Sequence, residues 1–224
     1  MAIRGNSNQI IVGAAQMFVA EAPLEWNSAE EFYEFSASAG VNGIPAFVDG
    51  TLYADTLEAD GPWRNIGYTS NGLEVQFQPD FGEVQVDQLL DVAKLFKQGM
   101  QVNMATSMAE ATLENLVVAI ATSSSNKTGV SGIDDEVTLN VTSGDLGDVP
   151  VERAIIAIGP GSGDPAAVGA ARVERVYVAH RALSIDNVTI SAKRNEASMF
   201  DVSFRLLPAS NGSYGKIVDR VVGP

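Results

Sequence analysis

The chain is predicted to be mainly β, with antiparallel strands and a single flanking helix. Three observations carry this. Apolar and polar residues alternate strictly over several short runs, the period of a strand with one buried face. Gly and Pro clusters punctuate those runs every few residues. Only residues 106–120 keep a helical period, with Ala109, Leu113, Leu116, Val117 and Ile120 on one stripe. Ser107 and Glu110 have the spacing of a capping box ahead of that stripe, which predicts a helix start at Ser107. Glu110 and Glu114 sit one turn apart, with Asn115 also polar.

The elements follow in order. Residues 1–30 read as an N-terminal arm with short strands at 9–12 and 16–19, and 30–35 fits a helical turn or a strand equally. Residues 36–66 are rich in breakers and read as a long excursion, with short strands near Phe47 and Val48 and from Thr51 to Tyr53. The runs 72–78 and 83–87 alternate and are joined by Pro79, Asp80, Phe81 and Gly82, which predicts a hairpin between them. Residues 98–105 alternate Met100, Val102 and Met104 with Gln101 and Asn103, a half-buried strand feeding the helix. Residues 122–129 are a Ser-rich connection, 136–142 a strand, and 143–148 a turn. The apolar run 153–158 suits a deeply buried strand. A loop over 159–169 precedes strands at 172–181 and 188–193. Phe200, Val202, Phe204 and Leu206 then alternate with polar residues, and turns at Asn211-Gly212 and Tyr214-Gly215 lead into a Val-rich tail. No repeat or linker divides the chain, so residues 1–224 read as one domain.

Composition bounds the function. The formal net charge of −14 opposes the basic surface that phosphate binding requires. With no cysteine, disulfides and thiolate metal sites are excluded. No apolar run reaches the length of a membrane-spanning helix, and the first residues lack the apolar stretch of a secretory signal. The reading is of a chain that needs no cofactor and no metal, and that binds no membrane.

Catalytic motifs fare poorly. The one histidine, His180, alternates with Val176 and Val178, so it is expected on their face as a structural residue. The glycine-rich stretch 159–165 lacks the Lys-Ser/Thr of a phosphate loop, and Pro160 and Pro165 remove two N–H donors. Asp134, Asp135 and Glu136, or Asp145 and Asp148, have no EF-hand spacing. No pair of carboxylates is singled out for glycoside hydrolysis. The polar faces of the predicted hairpin are more informative. Glu74, Gln76 and Gln78 oppose Leu73, Val75 and Phe77, while Glu83, Gln85 and Asp87 oppose Val84 and Val86. Those six residues give a face of carboxylates and amides with no cation. It is either the solvated side of an ordinary sheet or the wall of a channel.

The block from about residue 65 to 121, with its two alternating strands and the stretch 108–116, resembles the tail tube (major tail) proteins of tailed bacteriophages. The blocks 176–182 and 200–208 are similar to the closing strands of that family. The resemblance covers roughly half of the chain and lies in the order of the blocks. It implies an antiparallel β-barrel or sandwich with one flanking helix. It further implies a non-enzymatic virion subunit of a long non-contractile tail, assembled in the host cytoplasm into stacked hexameric rings. In such a tube, Glu74, Gln76, Gln78, Glu83, Gln85 and Asp87 are the candidate lumen residues. The N-terminal arm and the 36–66 excursion would carry ring-to-ring contacts, and tape-measure and tail-terminator proteins would be the partners. Lumen carboxylates repel phosphate only within about one Debye length, roughly 8 Å at physiological salt, so DNA would pass without sticking. The alternatives are the tube of a contractile tail or related injection machine, a tail terminator or other virion β-protein, and an acidic carbohydrate-active enzyme.

Overall fold

The computed structural model describes residues 13–36, 38–59, 61–85, 91–129, 133–143, 150–162, 172–191, 193–195 and 197–223. Among these, strands dominate. In chain order they are β1 (Gln16–Ala20), β2 (Leu24–Asn27), β3 (Phe32–Phe35), β4 (Ser38–Asn42), α1 (Tyr53–Ala59), β5 (Trp63–Asn65), β6 (Thr69–Gln85) and β7 (Val92–Met108). There follow α2 (Leu113–Ala119), β8 (Lys127–Thr128), β9 (Thr138–Leu139), β10 (Arg153–Pro160), β11 (Arg172–Ser184), β12 (Phe200–Leu207) and β13 (Gly215–Val222). All recorded pairings are antiparallel. No described helix is long and apolar enough to cross a membrane.

One large sheet runs β5-β1-β10-β11-β12-β7-β6. Along one edge of β11, β12 pairs with residues 181–184 and β13 with residues 172–179, so two successive strands share that edge. The sheet curls until the Thr69 hydroxyl, at the start of β6, donates to Ala15 O at 3.3 Å just before β1. No ladder joins β5 to β6, and among the described residues the sheet does not close as a barrel within one chain.

The curl makes two cores. Inside it, Met17, Ile155, Ala179, Phe204, Met104 and Val118 belong to one buried cluster. Behind it, Phe18, Ile156, Val176 and Val178 pack with Leu24, Phe35, Tyr53 and Leu57 from the small β2-β3-β4 sheet and α1. Strands β1 and β10 are therefore covered on both faces, which explains the unbroken apolar run predicted to be deeply buried. Buried Arg153 is held by Thr122 O at 2.6 Å, with Glu21 3.7 Å away.

Several expectations are corrected. The helix begins at Leu113, not Ser107. Residues 106–108 instead extend β7, because β12 and the start of β6 take up their backbone. Ser107 is buried in that strand and bonds Asp201, and Glu110 accepts Tyr68 N at 3.0 Å, so the capping box does not form. Thr112 is the N-cap, accepting Asn115 N at 3.2 Å. The buried side of α2 includes Asn115, while Ile120 is 37% exposed just past its end. Asn115 donates to Ile66 O and Glu110 O, both at 2.8 Å, and accepts Arg64 Nη1 at 2.8 Å.

The 36–66 excursion holds β4, α1 and β5, with no strand at 47–48 or at 51–53. Its Ile44, Tyr53, Leu57 and Trp63 are core residues, so most of it is no free arm. A buried ion pair ties it down. Arg220 on β13 donates to Val48 O at 2.8 Å and Thr51 O at 3.0 Å, while Glu174 on β11, 3.8 Å from Arg220, accepts Tyr53 N at 3.3 Å.

The ambiguous run 30–35 resolves as β3. The strand predicted over 136–142 shrinks to Thr138–Leu139, and the described residues of 188–193 form none. The tail is a full strand, β13, starting at the predicted turn residue Gly215. The strand at 9–12, most of the 159–169 loop, Asp145 and Asp148 lie outside the described residues, as do Val86 and Asp87.

Candidate functional site

The site begins with residues 69–85. Instead of two strands joined by a turn, they form one 17-residue strand, β6, whose partner is the equally long β7. The predicted turn fails because Pro79 has no ladder donor to lose on an outer edge, and Asp80 to Gly82 continue the register opposite Gly99 to Phe96. The extra residues that interrupt the distal ladder, Ala93 and Gln98, both lie on β7. Beyond Glu74, then, β6 alternates without a slip.

That continuity redistributes the six candidate residues. Glu74, Gln76 and Gln78 share one parity of β6 and are exposed. Glu83, also exposed, has the opposite parity and belongs with Val75, Phe77 and Phe81. Contacts agree with this assignment. Lys97, paired with Phe81, reaches the Met100 sulfur at 3.3 Å on the face that carries Val75 and Phe77. Gly82, of even parity, abuts Phe96 and Gln98 on the other face. Gln85 ends β6, and Asp87 is outside the described residues.

The polar face is wider than the sequence suggested. Opposite Gln76 and Gln78 stand Asn103 and Gln101, whose side chains meet at 3.3 Å. Beyond them β12 adds Ser203 and Arg205 in register with Ala105 and Asn103. Three adjacent strands thus present amides, hydroxyls and the carboxylates of Glu74 and Asp201. The exposed guanidinium of Arg205, on β12, adds a cation to this wider face that the six predicted residues do not carry. No group of three or more His, Asp or Glu with metal-ligand geometry occurs among the described residues.

Two features of this hairpin had no sequence signal. The outer edge of β6 pairs with nothing among the described residues, leaving a long row of N–H and C=O groups free. Moreover β12 pairs with β7 only from Val102 to Met108, so residues 78–85 and 92–101 extend as a two-stranded ribbon. That ribbon carries exposed apolar side chains on both faces, Phe81 and Leu95 on one and Val84 and Phe96 on the other, among charged neighbours.

His180 is not part of this surface. It is fully buried and stacked on Tyr33 with ring centroids 3.7 Å apart, and the backbone of Ser213 is its hydrogen-bonding neighbour. Burial pushes its pKa down to about 4, and the nearby Lys216 charge acts in the same direction. A buried ring stacked on a tyrosine fits the structural role expected of His180.

No protein-family model matches the chain, and no curated protein matches its sequence. The geometry of the hairpin is therefore what a functional reading rests on.

Proposed function

We propose that this protein is a tail tube subunit, a structural protein of a phage virion that polymerises into a hollow conduit for DNA. The observation that carries the reading is β6, a 17-residue strand with a polar face and an unpaired outer edge. An exposed edge of that length is a template for pairing with another chain. Head-to-tail pairing of copies would satisfy it and close the curled sheet as a barrel shared between subunits, in a ring with a heterologous contact. The resemblance makes that ring hexameric and the stacked rings a non-contractile tube, with tape-measure and tail-terminator proteins at its ends.

In such a ring Glu74, Gln76 and Gln78, with Gln101, Asn103 and Arg205, line the channel. Glu83 lies on the opposite face and leaves the lumen set. Each ring would repeat a mixed polar surface within a strongly acidic shell, which DNA passes by geometry and without turnover. Negative-stain microscopy of the purified protein tests this: hollow tubes of uniform diameter are expected. A protein that remains monomeric or forms only small closed oligomers at every concentration refutes it. For the lumen, Glu74→Lys should leave tubes intact and make them retain DNA in a salt-dependent way. Tubes of this variant that release DNA like wild type put Glu74 outside the channel.

A further inference from the structure

The distal β6–β7 ribbon exposes large apolar side chains on both faces, and two-stranded ribbons are at best marginally stable alone in water. It calls for a surface on each side. The same chain carries a matching surface elsewhere. Strand β13 pairs only with β11 among the described residues, so its outer edge is free along eight residues. Ile217 and Val221 on one face of β13 are 51% and 45% exposed. Between β13 and the base of the hairpin opens a groove of about 570 Å³, floored by Val102, Met104, Tyr177 and Leu206. At its apex the Tyr214 hydroxyl donates to Met100 O at 2.7 Å.

We infer that the distal ribbon of one copy docks lengthwise along β13 of the next, seating Phe81 and Leu95 against Ile217 at the mouth of the groove and Val221 further along the strand. Length supports a second copy as the occupant. Residues 78–85 of β6 span about 27 Å at roughly 3.4 Å per residue, the same reach as the eight residues of β13. Charge supports it as well. No carboxylate lines the groove, Asp219 between Ile217 and Val221 on the docked face of β13 is already paired with Arg175, and Lys97 at the rim has no ion-pair partner among the described residues. Glu83 flanks Phe81 on the docking face of the ribbon and is likewise without an ion-pair partner among them. A chain cannot satisfy the contact by itself, because the ribbon springs from the strands that wall its own groove. Head-to-tail docking covers the Phe81 and Leu95 face of the ribbon, the groove and the exposed face of β13 together. The inference rests on the tube reading and names the surfaces that join the copies.

The absence of cysteine makes the test clean. Phe81→Cys and Ile217→Cys are purified as separate single variants, mixed under assembling conditions and oxidised. A covalent dimer containing one chain of each kind is expected from the mixture, and a ladder of multimers from the double variant. Ile217→Asp, at an exposed position, should lose assembly on sedimentation while keeping the wild-type melting temperature. Tubes seen by microscopy with no mixed dimer, or Ile217→Asp assembling as wild type, overturn the docking and leave the tube reading in place. Mixed dimers and ladders without tubes uphold the docking and overturn the tube. Absence of any assembly overturns both.

Discussion

Asn115→Ala tests the internal architecture most sharply. The Asn115 amide is 1% exposed and makes three side-chain hydrogen bonds: to Ile66 O, to Glu110 O and from Arg64. Removing it strands the buried Ile66 carbonyl, the half-buried Glu110 carbonyl and one guanidinium N–H. A neutral bond contributes about 0.5–1.5 kcal/mol and one to a charged group about 1.5–3. The combined loss is then roughly 3–5 kcal/mol, allowing for a water entering the vacated volume. Arg64 magnifies the effect, since burial already lowers its pKa and its remaining anchor is Glu114 O at 3.3 Å. For a chain of this size, roughly 2–4 °C per kcal/mol predicts a melting temperature lower by about 6–20 °C. Urea titration should show a reduced midpoint at an unchanged slope. A loss below about 1 kcal/mol would refute a buried Asn115 and return it to the solvent face of a longer helix.

Other outcomes follow from the same packing. Phe204→Ala, in the inner core, should cost about 3–5 kcal/mol by chemical denaturation, whereas Phe81→Ala in unassembled protein should cost under about 0.5. Arg220→Ala leaves Glu174 buried without its partner and should destabilise by about 3–5 kcal/mol; Glu174→Leu with Arg220→Met should recover most of that. His180 gives a pH signature. Its pKa is about 4 folded against about 6.5 unfolded, so between those values the unfolded chain binds more protons. Its contribution is full above pH about 6.5 and is lost as pH falls towards 4, about 3 kcal/mol in all. His180→Phe, keeping the stack on Tyr33, should flatten stability over that window; an unchanged pH profile would mean that another group titrates there.

What the sequence determined by itself was local. Alternation at 98–105 and 200–206, and the apolar run at 153–158, marked β7, β12 and β10, because a period of two and a doubly buried strand both write themselves into residue order. The same local signals misled wherever tertiary pairing decided the outcome. Ser107 and Glu110 had capping-box spacing, yet β12 offered the backbone of residues 106–108 a ladder and the strand ran on. Pro79 to Gly82 looked like a turn, but an outer-edge strand tolerates proline, and β7 supplied partners through it. That continuation fixed the parity of Glu83 and parted it from Glu74, a consequence no window around either residue contains. Asn115, Glu174 and Arg220 are polar residues buried by partners 49, 121 and 172 positions away along the chain. The edges of β6 and β13 that are unpaired among the described residues are likewise properties of the sheet order. Burial and edge exposure depend on which distant strands arrive, and only the folded chain brings them together.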